Sequence, residues 1–200
     1  MAFTYFFRDL QTLELITTQV LPTLQGRKYL RVWDAGCAHG PEPYSIAILL
    51  RENMSHFMFR NVKIYATDID TSSRFGEIIA EGVYPEGEIK RIPPELRAKY
   101  FSKNGDGCYK ISDEIKSCLT FARHDLLSLT PAATDCHLVV CKNVLLHLRP
   151  EEQVDVMKMY HEVLVPGGFF VTEQTQKLPD EVAGLFEKVV SHGQLFRKVG

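Results

Sequence analysis

Apolar and polar positions along the 200-residue chain follow two alternating rhythms. Short β-branched and apolar runs occur at Arg31–Ala35 (RVWDA), Val62–Thr67 (VKIYAT), Leu119–Ala122, Leu138–Cys141 and Phe169–Thr172. Each has the length and composition of a buried strand. Between them the spacing shifts to threes and fours. Residues 43–51 place Tyr44, Ala47 and Ile48 on one side of a helix. Thr71 is expected to cap a helix reaching Glu81, and residues 9–24 carry a further helical stretch. The clearest helix spans 151–164, with Pro150 before it, Glu151 and Glu152 in its first turn and Pro166-Gly167-Gly168 as its stop. Phe186–Val190 and Leu195–Val199 flank His192-Gly193 as a closing hairpin.

Strand–helix alternation of this kind predicts an α/β domain: a mostly parallel sheet with helices on both faces. Between Glu81 and Leu119 the alternation breaks, at Pro85, Pro93-Pro94 and the turn Asn104-Gly105-Asp106-Gly107. That interval is too long for a strand-to-helix connection. It reads as an insertion holding a small helix (94–101) and one or two antiparallel strands.

Composition narrows the function classes. A net charge of −2 leaves no electrostatic footprint for nucleic acid or an anionic membrane surface. No apolar run approaches the roughly 18 residues of a membrane span. An Arg-Asp pair at Arg8-Asp9 comes too early for a signal peptide, and the five cysteines show no C-x-x-C spacing. A cytoplasmic protein with reduced thiols is expected. The histidines show no metal-ligand spacing, and no metal is expected.

The chemistry concentrates in DAGCAHGPEPYS, residues 34–45, at the end of the first strand. A phosphate-binding P-loop is excluded, because Gly36 and Gly40 stand too close and the lysine is absent. A dinucleotide site is disfavoured: Pro41 and Pro43 remove backbone donors where a pyrophosphate would rest, and Glu42 adds negative charge. S-adenosylmethionine suits the turn better, since it carries no phosphate but does carry a sulfonium and an ammonium. Asp68 ends the second strand 32 residues after Gly36, where an acidic side chain can accept hydrogen bonds from ribose hydroxyls. The bland alternative makes Gly36 a tight turn and Asp68 the cap of the next helix.

Seven collinear stretches resemble the CheR-type methyltransferases, which methylate glutamate side chains of chemotaxis receptors. They are TYFFRD (4–9), VWDAGCAHGPEPYSIA (32–47), YATDIDTS (65–72), GVYPEGEIKRIPPELRAKYF (82–101), LTFARHDLL (119–127), VVCKNVLLHL (139–148) and LVPGGFF (164–170). The resemblance implies a Rossmann-like class I methyltransferase fold, with a mostly parallel seven-stranded sheet, a C-terminal antiparallel hairpin and a small β-subdomain inserted at 82–120. One methyltransferase domain would occupy residues 1–200. It further implies that Thr4 and Arg8 lie by the cofactor's methionine end and the acceptor, and that Glu42 takes the amino group. Asp68 would hold the ribose, Asp125 and Leu126 flank the adenine, and Lys142 and Asn143 floor the site.

Three departures from the family pattern bear on the acceptor. The family usually has a helical domain before T-x-F-F-R, and only three residues precede Thr4, so a chain without that domain is expected. Ala2 stands where members carry asparagine. His147 stands where receptor methyltransferases show tyrosine, either as a structural histidine or as a catalytic or acceptor-contacting group beside Arg8. Arg8 is either a carboxylate clamp or a surface ion pair with Asp9 or Glu14. The leading expectation is methyl-ester formation on receptor glutamates. Behind it stand a methyltransferase with another protein or small-molecule acceptor, a non-catalytic S-adenosylmethionine-binding module and, distantly, a nicotinamide oxidoreductase.

Overall fold

A computed structural model describes residues 4–24 and 27–200; Ala2 lies outside them. Ten strands occur among these residues: β1 (Leu30–Ala35), β2 (Val62–Asp68), β3 (Val83–Pro85), β4 (Phe101–Lys103), β5 (Cys108–Ile111), β6 (Leu119–Arg123), β7 (Cys136–Val140), β8 (Leu164–Val171), β9 (Phe186–Lys188) and β10 (Leu195–Lys198). The helices are α1 (Leu10–Leu15), α2 (Pro41–Asn53), α3 (His56–Phe59), α4 (Phe75–Glu81), α5 (Glu86–Ile89), α6 (Pro94–Tyr100), α7 (Asp113–Lys116), α8 (Pro150–Val163) and α9 (Asp180–Ala183).

Seven strands form one sheet in the order β6-β2-β1-β7-β8-β10-β9. The first five run parallel, and β10 and β9 close the far edge antiparallel. Consecutive side chains of β1 separate the two faces. Val32 packs with Ile46, Ile48 and Ile64, whereas Trp33 and Ala35 pack with Val156, Met157 and Tyr160 of α8. Both faces are therefore dry, as a parallel sheet requires. The order reverses between β1 and β7, and that switch point opens at their C-terminal ends.

Several boundaries differ from the sequence reading. Helix α2 begins at Pro41, because Gly40 at φ 107° turns the chain and proline suits the first helical position. Thr71 caps nothing. Asp70 instead accepts from the amides of Arg74 and Phe75 at 3.2 and 3.0 Å, and α4 starts at Phe75. The segment 9–24 is three pieces, α1 followed by a π turn over Ile16–Val20 and a 3-10 turn over Leu21–Leu24. Pro166-Gly167-Gly168 does not stop α8, which ends at Val163; those residues make the irregular start of β8.

Between α4 and β6 lies a separate three-stranded antiparallel sheet, β3-β5-β4, one strand more than the most expected. It is fastened to α2 by Arg51 on Glu114 at 2.6 Å and by Lys99 and Tyr100 on Glu52. Tyr44 donates to the Ile79 carbonyl at 2.6 Å, and Tyr84 to the His39 carbonyl at 2.9 Å. The inserted strands are thus locked to the turn that follows β1.

Candidate active site

The turn after β1 is built on hydrogen bonds to β2. The amides of Gly36 and Cys37 donate to the Thr67 carbonyl at 2.7 and 3.0 Å. A Cβ on Gly36, which has φ 97°, would stand 2.1 Å from Val144 Cγ2, so the turn passes against the loop after β7 with no room for a side chain. Ala38 follows in a left-handed conformation (φ 50°), and its amide donates to Asp68 Oδ2 at 3.0 Å. Asp68 Oδ1 accepts from the Asp70 amide at 2.9 Å. Two backbone donors therefore hold the Asp68 carboxylate in place while each oxygen keeps a lone pair for a ligand.

Beside this turn lies a cavity of about 750 Å³. Thr4, Arg8, Gly36, Glu42, Asp68, Asp125, Leu126, Lys142, Asn143 and His147 all line it, as does His124. Ten of the eleven residues singled out from the sequence therefore meet in one place. Gly40 does not line it. Its need for glycine comes from elsewhere, since a Cβ there would stand 2.6 Å from Tyr84 Oη and 2.8 Å from Ile79.

The N-terminal segment reaches the cavity through its aromatic anchors. Phe6 is buried edge-on against Tyr84 and Phe101, with ring centroids 5.0 and 5.4 Å away. The Phe7 amide donates to Ser45 Oγ at 2.8 Å. With these two side chains inside, Thr4 and Arg8 are left facing the cavity. Arg8 Nε stands 3.9 Å from Asp9 Oδ2.

Lys142 occupies the floor. Its ammonium is buried, 2.9 Å from Glu42 Oε2, 2.9 Å from the Arg8 carbonyl and 3.6 Å from Asp9 Oδ2. One cation thus joins β7, α2 and the N-terminal segment. Asn143 beside it adopts φ 58°, and its amide donates to Glu173 Oε2 at 2.8 Å. Asp125 turns the chain by accepting from the Leu127 amide at 2.9 Å, leaving Leu126 half-buried in the cavity wall. His147 is exposed at the cavity's edge.

Sequence reasoning passed over two buried acids. Glu173 holds Asn143, as described. Asp34, fully buried on β1 beside Glu42, meets no donor with either oxygen. Burial first, and the negative Glu42 second, push its carboxyl well above the usual range. The available signal was an acidic residue inside an otherwise apolar strand. His124 was also missed; its ring packs edge-on against Trp33 and its Nε2 lies 2.7 Å from the Thr130 carbonyl.

The donor set discriminates between ligands. Asp34, Glu42 and Asp68 converge near the buried Lys142 ammonium, and prolines replace donors at the start of α2. Such a wall repels a pyrophosphate and accepts a cationic, phosphate-free nucleoside, so the residues fit S-adenosylmethionine. Among the described residues no cluster of three or more histidine, cysteine or acidic side chains is arranged for a metal. None of the described helices is long and apolar enough to cross a membrane.

Comparison with known proteins points the same way. The family described as "CheR methyltransferase, SAM binding domain" matches residues 2–194. Chemotaxis protein methyltransferase 2 of Vibrio cholerae is 28% identical over 202 residues, 98% of this chain and 67% of the relative. Chemotaxis protein methyltransferase 1 of Pseudomonas aeruginosa is 31% identical over 193 residues, 88% of this chain and 68% of the relative. The chain spans about two thirds of the length of such curated relatives, and 64% of the one from Borreliella burgdorferi. Among solved structures, the DszA carbon methyltransferase superposes with a TM-score of 0.50 at 14% identity, over 86% of this chain and 37% of that one. At that identity the likeness concerns the fold.

Proposed function

Since this chain belongs to the CheR methyltransferase family, we propose that it transfers the methyl group of S-adenosylmethionine to glutamate carboxylates of chemotaxis receptors. The observation that carries the reading is the wall of the cavity: the carboxylates of Glu42 and Asp68, with the backbone donors a phosphate would need absent from the start of α2.

When bound, S-adenosylmethionine supplies an activated methyl group on a sulfonium. The remaining work falls to the chain. Asp68, already oriented by two amides, accepts from the ribose hydroxyls. Glu42 receives the amino group alongside Lys142. Leu126 packs against the adenine, and Asn143 closes the floor. A glutamate acceptor is ionised at neutral pH, so no general base is needed. Arg8 then positions the attacking carboxylate, and orientation alone is worth several kcal/mol. Residues 1–200 act here as one methyltransferase domain, with the β3-β5-β4 sheet within 82–120 as its inserted subdomain.

Transfer of labelled methyl onto cytoplasmic receptor fragments tests the proposal. Base-labile label on the fragment is expected, with the Arg8→Ala variant losing transfer far more than cofactor affinity. A second reading keeps the cofactor and changes the acceptor, favoured by the exposed imidazole of His147 at the cavity's edge, which can take a proton from a hydroxyl or amine. Label that appears only on another substrate selects it. Tight cofactor binding with no transfer to any acceptor turns the chain into a binding module.

A further inference from the structure

Asp34 belongs to no step described so far, yet it sits at the centre of the charged cluster. It is 0% exposed, and neither carboxyl oxygen meets a donor. It stands against the carboxyl of Glu42, whose Oε2 is already paired with the Lys142 ammonium at 2.9 Å. Two facing carboxyls with no donor between them cannot both be anions in a dry site; one must carry a proton and direct it at the other. The proton falls to Asp34, because Glu42 has Lys142 beside it and Asp34 has no hydrogen-bond donor of its own.

The other groups facing Asp34 reinforce this placement. Asp68 at the end of β2 is a further negative charge, while Cys37 in the turn, Cys141 after β7 and Tyr160 on α8 are buried with their acidities suppressed. Lys142 is the positive charge among the groups that act on it most strongly. With Asp34 neutral, Glu42 is the buried carboxylate paired with Lys142, at 2.9 Å. A second ammonium arriving at Glu42 would have to share that carboxylate with Lys142, and its positive charge favours ionisation of the adjacent Asp34.

We infer that Asp34 is a positioning residue that holds a proton against Glu42 in the ligand-free protein and releases it when the cofactor's ammonium docks. The carboxylate so formed is the second counter-ion. The O–H bond of Asp34 breaks, the proton leaves to solvent, and Glu42 and Asp34 end as carboxylates beside the Lys142 and cofactor ammonium groups. The inference rests on the proposed S-adenosylmethionine reading. It adds that binding is coupled to loss of one proton, so affinity rises with pH while Asp34 remains protonated in the free protein.

Calorimetric titration with S-adenosylhomocysteine, which keeps the ammonium and lacks the transferable methyl, reads this directly. Titrations run in buffers of different ionisation enthalpy, at several pH values from mild acid to just below the α-amino range, count the protons exchanged. Where Asp34 is protonated in the free protein, the wild-type chain is expected to release up to about one proton per ligand, with affinity rising up to about tenfold per pH unit. Asp34→Asn, which keeps a donor toward Glu42, is expected to release none and to bind with a flatter pH profile. Infrared spectroscopy of the ligand-free protein should show the carbonyl stretch of a protonated carboxyl, lost on adding ligand and missing from Asp34→Asn. Binding without proton release, or a wild-type spectrum lacking that band, overturns the inference and leaves the cofactor assignment standing. No binding at all overturns the cofactor assignment and the coupling with it. The two wild-type measurements decide the matter even if Asp34→Asn fails to fold.

Discussion

Gly36 shows how much a single position can decide. Alanine there would have to share space with Val144 and adopt a left-handed φ. Gly36→Ala is expected to cost about 2–4 kcal/mol, measured as a shift in the denaturant midpoint. Asp68→Ala should weaken S-adenosylhomocysteine by about 2–4 kcal/mol in calorimetry, and should also loosen the turn, because Ala38 and Asp70 lose their acceptor. Unchanged affinity would remove Asp68 from the site. Both glycines of the turn were legible in the sequence, but their reasons were not. Gly36 answers to Val144, 108 residues away in the chain, and Gly40 to Tyr84 and Ile79. Asp34 stayed hidden because its meaning lies in what faces it. A strand-end aspartate in the sequence gives no hint that Glu42 and Lys142 converge on it.

At the level of elements, Lys142 is the joint between β7, α2 and the segment ahead of α1. Lys142→Met should leave Glu42 unpaired in a dry site and free the Arg8 carbonyl, at a cost of about 3 kcal/mol. Hydrogen exchange should then quicken at Phe7, whose amide is held by Ser45; protection equal to wild type would show that the aromatic anchors alone suffice. The inserted sheet hangs on two carboxylates of lowered pKa. Glu114 is held down chiefly by Arg51, and Glu52 by Lys99 and Tyr100. Each contributes above the ordinary carboxylate range and loses its contribution as pH falls. Exchange in 82–118 should therefore rise in mild acid ahead of the main sheet, and Glu52→Gln with Glu114→Gln should show that rise at neutral pH. The five parallel strands and α8 followed from hydrophobic rhythm, because the sheet is covered on both faces, whereas the spatial order of the strands did not. The short helices α3, α5, α7 and α9 did not, since one turn is too brief for a period to register. The β3-β5-β4 pairing, too, depends on contacts across the insertion that no local pattern displays.

For the molecule as a whole, the buried acid under the turn sets a pH dependence of stability. Its folded-state pKa is raised, so its contribution is fully present below the unfolded carboxylate value of about 3.9 and is lost as pH rises toward the folded one. The ligand-free chain should lose up to about 1.4 kcal/mol per pH unit across that window. Asp34→Asn should flatten the slope, and parallel slopes for the two proteins in urea melts would refute it. The segment ahead of α1 carries a consequence of another kind. Thr4 is part of the cavity wall, so a bulky group joined close to it stands beside the pocket. A purification tag or an incompletely trimmed linker placed there would hang over the mouth and be misread as weak affinity. Fusions intended to leave binding undisturbed belong after β10, which pairs with β9, the edge strand on the opposite side of the sheet from β6.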